Sequence, residues 1–87
     1  MLTALVVDTD AAARRQVAGL LELGGWQVHQ ASDADEARWL NQIYDLDLVV
    51  TDDVVDGATG PELLDLFRRA GSTARFLVVA AEPTRPY

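Results

Sequence analysis

The sequence predicts an α/β domain built on an open, doubly wound parallel sheet of about four strands and three helices. Four short segments rich in Val, Leu and Ala have the composition of strands, and three segments between them repeat their apolar residues at helical spacing. Strands and helices therefore alternate along the chain. Right-handed crossovers between parallel strands would place the helices on both faces of the sheet.

Composition indicates a single small domain spanning residues 1–87, with a hydrophobic content of 49%, enough for a packed core. The net charge is −7, with no lysine among the basic residues, which disfavours nucleic-acid binding because a phosphate backbone needs a cationic surface. The chain has no cysteine and one histidine, so disulfides and zinc sites are not expected. The first residues have neither the basic region of a signal peptide nor a membrane span, so a cytoplasmic protein is expected.

The first predicted strand, Leu2–Val7, runs into an acidic loop. Asp10 is placed to cap a helix over Ala11–Leu23, because a carboxylate there can accept backbone N–H bonds from the first turn. A glycine pair ends this helix. Its predicted core-facing residues include Val17, Leu20 and Leu21, and its arginine pair Arg14-Arg15 is expected to face solvent.

The second strand and helix follow the same pattern. Trp26–Ala31 alternates apolar and polar residues, as a half-buried edge strand does. Ser32 then precedes a helix over Asp33–Gln42, and Asp35 would complete a capping box with it. The residues of this helix predicted to face the sheet are Ala37, Leu40 and Ile43.

The third strand is the apolar run Leu48–Val50, which meets turn residues soon afterwards. Pro61 suits the first turn of a third helix, and Gly71 ends that helix. Arg75–Ala81 is a fourth apolar strand, and the prolines that follow cannot extend it far.

Two acidic clusters occupy equivalent positions, at the carboxyl ends of the first and third strands. Asp8 and Asp10 follow one strand, and Asp52 and Asp53 follow the other. With the strands in the order 2-1-3-4, these ends are neighbours at the sheet edge where ligands bind. Converging carboxylates repel one another unless a hard cation lies between them, and Mg²⁺ accepts such oxygens. The clusters therefore predict a Mg²⁺ site, with Asp52 a candidate nucleophile for phosphoryl transfer.

Two blocks of the sequence resemble the receiver domain of bacterial two-component response regulators: LVVDTDAAARRQVAGLLE and DLVVTDDVVDGATGPELLDLFRR. The resemblance implies a flavodoxin-like (CheY-like) fold. It also implies that Asp52 is the phosphoacceptor and that Asp8, Asp52 and the backbone carbonyl of Val54 hold Mg²⁺. A histidine kinase or phosphotransfer protein would be the partner. Such a domain is not an enzyme beyond its own phosphorylation and dephosphorylation.

The sequence departs from the family pattern at several positions. Thr9 stands where the second metal-binding acid is expected, and Asp10, one residue late, is either a further ligand or only a helix cap. Ala80 replaces the family's Ser or Thr that contacts the phosphoryl group, Asp56 replaces a common proline, and the family's lysine has no counterpart. Each missing donor is worth about 10²- to 10³-fold in rate, so phosphorylation is expected to be slow or absent and the Mg²⁺ site weakened.

The chain also stops after its fourth predicted strand. An apolar strand at a sheet edge invites pairing with another chain, so a homodimer is expected to cover Phe76, Leu77, Val78 and Val79. Two functions stay open. One is an atypical, stand-alone receiver-like domain that acts through protein contacts, and the other is a genuine Mg²⁺-dependent phosphoacceptor. A fragment without a stable fold is a third alternative, which cooperative unfolding would exclude.

Overall fold

Four parallel strands form the central sheet of the computed structural model, which describes residues 1–79. Their order in the sheet is β2-β1-β3-β6. These strands are β1 (Thr3–Val7), β2 (Gln27–Ala31), β3 (Leu48–Asp52) and β6 (Arg75–Val79). The predicted 2-1-3-4 order is therefore confirmed, with β6 as the fourth predicted strand. Ala80 and Ala81, the predicted end of that strand, lie outside the described residues.

Three helices cover the two faces of the sheet: α1 (Ala11–Leu23), α2 (Ala34–Ile43) and α3 (Gly60–Arg69). The α1 face holds a small cluster in which Ala18 packs with Val6 and Val50. On the opposite face, Leu63 and Phe67 of α3 pack with residues of α2 and the sheet in the larger apolar cluster. None of the helices within residues 1–79 has the length and apolar character needed to cross a lipid bilayer.

A short hairpin that the sequence did not predict follows β3. Its strands are β4 (Val54–Val55) and β5 (Ala58–Thr59), paired antiparallel. Gly57 in its turn has φ +93°, a conformation that favours glycine. Val55 is buried in the larger apolar cluster, so the hairpin packs against the domain.

The predicted bounds of α1 are confirmed, but three details of the helices are wrong. Asp33 rather than Ser32 caps α2: its side chain accepts the Glu36 N–H, while Glu36 Oε1 accepts the Ser32 N–H. Ile43 is 49% exposed. Three residues of an α-helix fall about 60° short of a full turn, so the series Ala37, Leu40, Ile43 rotates steadily around the helix and carries Ile43 off the buried side. Leu20 is 65% exposed, because it lies about 100° from the centre of the buried face of α1.

Candidate functional site

Asp8 and Asp52 lie at the carboxyl ends of two adjacent strands. In the register of β1 and β3, Val7 is paired with Thr51, so the next residue of each strand is the acid. Both carboxylates line the same cavity, whose volume is about 390 Å³. The sheet thus brings together the two acids that the sequence pattern placed at its carboxyl edge.

The rest of this cavity is mainly apolar. Asp10 and Thr51 also line it, and the remaining lining residues are Val6, Val7, Ala13, Val17, Val50 and Val79. Such a wall lowers the solvation of the carboxylates, which strengthens any charge interaction made there. The site is therefore a negatively charged cavity with an apolar wall, in which Asp8 and Asp52 are half-buried.

The backbone at Asp8 is fixed from two sides. Its N–H donates to the Ala31 carbonyl at 3.1 Å, and its own carbonyl accepts a hydrogen bond from Arg14 Nη1 at 2.9 Å. Arg14 Nε also donates to Gln30 Oε1 at 3.2 Å. Arg14 was expected to face solvent, and that expectation is wrong: the side chain crosses from α1 to brace the strand end. In the carboxylate itself, Asp8 Oδ1 accepts the Asp10 N–H at 2.9 Å.

The pKa of Asp52 is raised above its ordinary value. Burial is the largest cause, because it disfavours the charged form. The Asp53 N–H, which donates to Asp52 Oδ1 at 2.8 Å, acts in the opposite direction by stabilising the carboxylate. Repulsion from Asp8 and Asp53 raises the pKa further. Asp8 thus acts on Asp52 from the neighbouring strand end, within the cavity that both residues line.

Asp10 lines the cavity but is already used as a helix cap. Its Oδ1 accepts the N–H groups of Ala12 at 3.0 Å and Ala13 at 3.4 Å. These contacts satisfy donors that would otherwise be orphaned at the start of α1. A carboxylate committed in this way offers fewer lone pairs to a cation than Asp8 or Asp52 does.

Thr9 has a contact that the sequence did not reveal. Its Oγ1 accepts the backbone N–H of Asp56 at 3.0 Å, which ties the loop after β1 to the hairpin after β3. The two residues are 47 positions apart, so no local pattern could have indicated the bond. Thr9 thus uses its side chain for a structural contact at the position where the resemblance placed a metal ligand.

The acids present fit Mg²⁺ only as a sparse donor set. Residues 1–79 contain no group of three acidic, His or Cys side chains arranged to hold a metal. Val54 starts the hairpin two residues after Asp52 and does not line the cavity. Two carboxylates are nevertheless enough for Mg²⁺, which keeps several of its waters and takes one or two protein carboxylates.

The strand predicted to form an interface is at the edge of the sheet. Within the described part of the chain β6 is paired with β3 alone. Leu77, Val78 and Val79 are 55%, 39% and 45% exposed. Phe76 differs, because its ring packs edge-on against Phe67 with the centroids 5.3 Å apart.

Comparison with known proteins identifies the family. The family model for the response regulator receiver domain matches residues 4–87 of this chain. The chain belongs to this family. Receiver domains belong to two-component signalling systems. A search of curated proteins finds no match.

Solved receiver structures share the fold. The chemotaxis protein CheY4 of Vibrio cholerae superposes with a TM-score of 0.88 at 27% identity, over 99% of this chain and 72% of that one. A response regulator receiver protein of Pseudomonas putida superposes with a TM-score of 0.78 at 28% identity, over 91% of this chain and 67% of that one. A two-component response regulator of Clostridium difficile superposes with a TM-score of 0.83 at 20% identity, over 90% of this chain and 64% of that one. The receiver domain described here thus spans about two-thirds of the length of these proteins.

Proposed function

We propose that this receiver domain is an atypical signalling module of a two-component system or phosphorelay. It acts through contacts with other proteins and through dimerisation, and phosphorylation at Asp52 is weak or absent. The observation that carries the proposal is the reduced set of acids at the site: Asp8 and Asp52 line one cavity, but Thr9 accepts a hydrogen bond from the Asp56 N–H at the position where the resemblance places a metal-binding acid. The absence of lysine from the chain removes a further partner for a phosphoryl group.

A second candidate is a genuine phosphoacceptor, and the shared cavity of Asp8 and Asp52 favours it. In this reaction an Asp52 carboxylate oxygen attacks the phosphorus of a phosphohistidine. The P–N bond breaks, its electron pair goes to the imidazole, and the product is an aspartyl acyl phosphate. Asp8, Asp52 and the Val54 carbonyl, with Asp10 as a further candidate, would hold a Mg²⁺ ion whose charge offsets that of the phosphoryl oxygens.

The expected rate separates the two candidates. Preorganised donors to the phosphoryl oxygens are each worth about 10²- to 10³-fold in rate. The sequence lacks lysine altogether and has Ala80 in place of a hydroxyl residue. Two such losses predict a reaction that is slower by several orders of magnitude than with both donors present. Asp52 would then be phosphorylated only slowly, even with an acyl phosphate in excess.

Intact mass spectrometry after incubation with acetyl phosphate and Mg²⁺ tests the proposal. The atypical module is expected to gain little or no phosphoryl mass under conditions that saturate a conventional receiver domain. Asp52→Asn tests the acceptor directly. Asp53→Asn is its matched control, because Asp53 is the adjacent acid and is exposed. A stoichiometric adduct in the native and Asp53→Asn proteins that is lost in Asp52→Asn would establish the phosphoacceptor instead.

We also propose that a second copy of the chain pairs with β6. Within residues 1–79 this edge strand is paired on one side only and exposes apolar side chains, a combination that favours strand pairing. Sedimentation velocity at micromolar concentration is expected to show a dimer that Leu77→Lys dissociates and Asp52→Asn does not. Leu23→Lys is the control, because Leu23 is 88% exposed at the end of α1. A native monomer, or a dimer that survives Leu77→Lys, would refute the pairing.

A further inference from the structure

The loop between β1 and α1 is a rigid base for Thr9. Asp8, the residue before it, donates its N–H to the Ala31 carbonyl and accepts a hydrogen bond from Arg14 at its own carbonyl. The residue after it, Asp10, caps α1 with its side chain and donates its own N–H to Asp8 Oδ1. Thr9 therefore projects from a backbone whose neighbours on both sides are fixed by contacts within the domain.

The hairpin that Thr9 contacts has little stability of its own. Each of its strands has only two residues, and an isolated hairpin is marginal in water even when longer. The two turn types favoured for two-residue hairpin loops both need a positive φ at the first central residue. That residue is Asp56, and within the described chain only glycines have positive φ. The turn is therefore not one of the two types that favour a hairpin, and contacts with the rest of the domain, including the burial of Val55, contribute to holding it.

Two hydrogen bonds hold the turn at Asp56. Its carbonyl accepts the Ala34 N–H at 2.9 Å, and its N–H donates to Thr9 Oγ1 at 3.0 Å. The first bond joins backbone groups, so any residue at position 34 except proline could make it. The second depends on the Thr9 side chain. Val55 also anchors the hairpin through its burial in the apolar core, so the Thr9 hydroxyl supplies the one of these two hydrogen bonds that a side-chain substitution can remove.

We propose that Thr9 is a positioning residue that docks the β4–β5 hairpin, and with it Val54, beside the acidic cavity when no cation is bound. The inference rests on the proposed function where it treats Val54 as part of a Mg²⁺ site. A hydroxyl accepts the Asp56 N–H without adding charge near Asp8 and Asp52. A carboxylate at position 9 would add a further negative charge beside the aspartates of the cavity, and a bound cation would compete with the Asp56 N–H for its oxygens.

The docking bond is tested by amide hydrogen exchange at Asp56, measured by NMR in the presence of EDTA. Thr9→Val keeps the shape of the side chain but loses the acceptor, and Thr9→Ser keeps the acceptor. A net hydrogen bond of about 0.5–1.5 kcal/mol predicts exchange roughly 2- to 12-fold faster in Thr9→Val. Thr9→Ser is expected to exchange at nearly the native rate. Thr73→Val is the control, since Thr73 is exposed and lines cavities at the opposite end of the sheet.

Unchanged exchange in Thr9→Val, or equal acceleration in Thr9→Ser, would overturn the docking role. A Mg²⁺ titration followed by NMR then tests the link to the site: Thr9→Val is expected to bind about 2- to 12-fold more weakly than the native protein, and Thr9→Ser equally well. Equal affinity in Thr9→Val would refute the positioning of Val54. If the native protein bound no Mg²⁺, the phosphoacceptor candidate would fail along with the role of Val54, while the exchange data would still decide whether Thr9 docks the hairpin.

Discussion

Replacing Gly60 with alanine is expected to destabilise the domain at the point where α3 meets the site. Gly60 is the buried first residue of α3, and its N–H donates to the Asp53 carbonyl at 2.8 Å. A Cβ atom here would lie 2.9 Å from Val78 Cγ1 and 3.1 Å from the Asp52 carbonyl oxygen. Both approaches are shorter than normal van der Waals contacts, so either the helix or the strand ends must shift.

The magnitude is set by two opposing effects. Overpacking of this kind costs about 1–3 kcal/mol. Alanine gains up to about 1 kcal/mol over glycine in a helix interior, and we expect less at the first helical position. With a gain of about 0.5 kcal/mol at that position, the net loss in the free energy of unfolding is about 0.5–2.5 kcal/mol. For a domain of this size, that loss lowers the Tm by roughly 2 to 20 °C.

Urea unfolding of matched variants measures the effect. Gly19→Ala is the control, because a Cβ there would meet nothing within 4 Å on α1, and it should stabilise the protein by roughly 0.5–1 kcal/mol. Adding Val78→Ala to Gly60→Ala removes the valine contacts but leaves the Asp52 carbonyl contact, so part of the loss should be recovered as coupling energy. If Gly60→Ala were as stable as the native protein, the close packing of α3 against β3 and β6 would be refuted.

Two further predictions concern the acids of the cavity. Because burial raises the pKa of Asp52 in the folded protein, the folded state binds more protons than the unfolded state between the two pKa values, and stability falls as the pH rises through that interval. Without Mg²⁺, Asp52→Asn should therefore have a higher Tm than the native protein at pH 7. The difference in Tm should disappear at a pH below the ordinary aspartate pKa of about 3.9. A lower Tm for Asp52→Asn at pH 7 would contradict this. Asp10→Ala should cost about 0.5–2 kcal/mol in urea unfolding through the lost cap, with the Mg²⁺ affinity from calorimetry unchanged. A large loss of that affinity would instead identify Asp10 as a ligand.

The features predicted correctly are those that local patterns determine. The alternation of apolar segments predicts the parallel sheet, the flavodoxin-like fold class supplies the order of its strands, and the bounds of α1 follow from Asp10 and the glycine pair that ends it. The meeting of Asp8 and Asp52 in one cavity follows in turn, because each acid directly follows or ends a buried strand. Once the topology is known, the position of each acid relative to its strand is sufficient to predict that the two acids meet.

The features that were missed depend on tertiary contacts. The β4–β5 hairpin has strands of two residues, too short for any periodicity to register. The bond from Asp56 to Thr9 and that from Arg14 to the Asp8 carbonyl both link different elements. Leu20 and Ile43 are apolar at nearly the right spacing, and only the direction of each helix face shows that they are exposed.

Charge connects the substitution at Thr9 with the proposed function. Asp8 and Asp53 already raise the pKa of Asp52 by repulsion. A further acid at position 9 would increase that repulsion whenever no cation is present, and a metal ion would then be needed to offset it. A neutral hydroxyl that accepts the Asp56 N–H contacts the hairpin without adding to this repulsion. If the proposed function is right, the hairpin should keep its position whether or not a cation is present, and amide exchange at Asp56 with and without Mg²⁺ measures this.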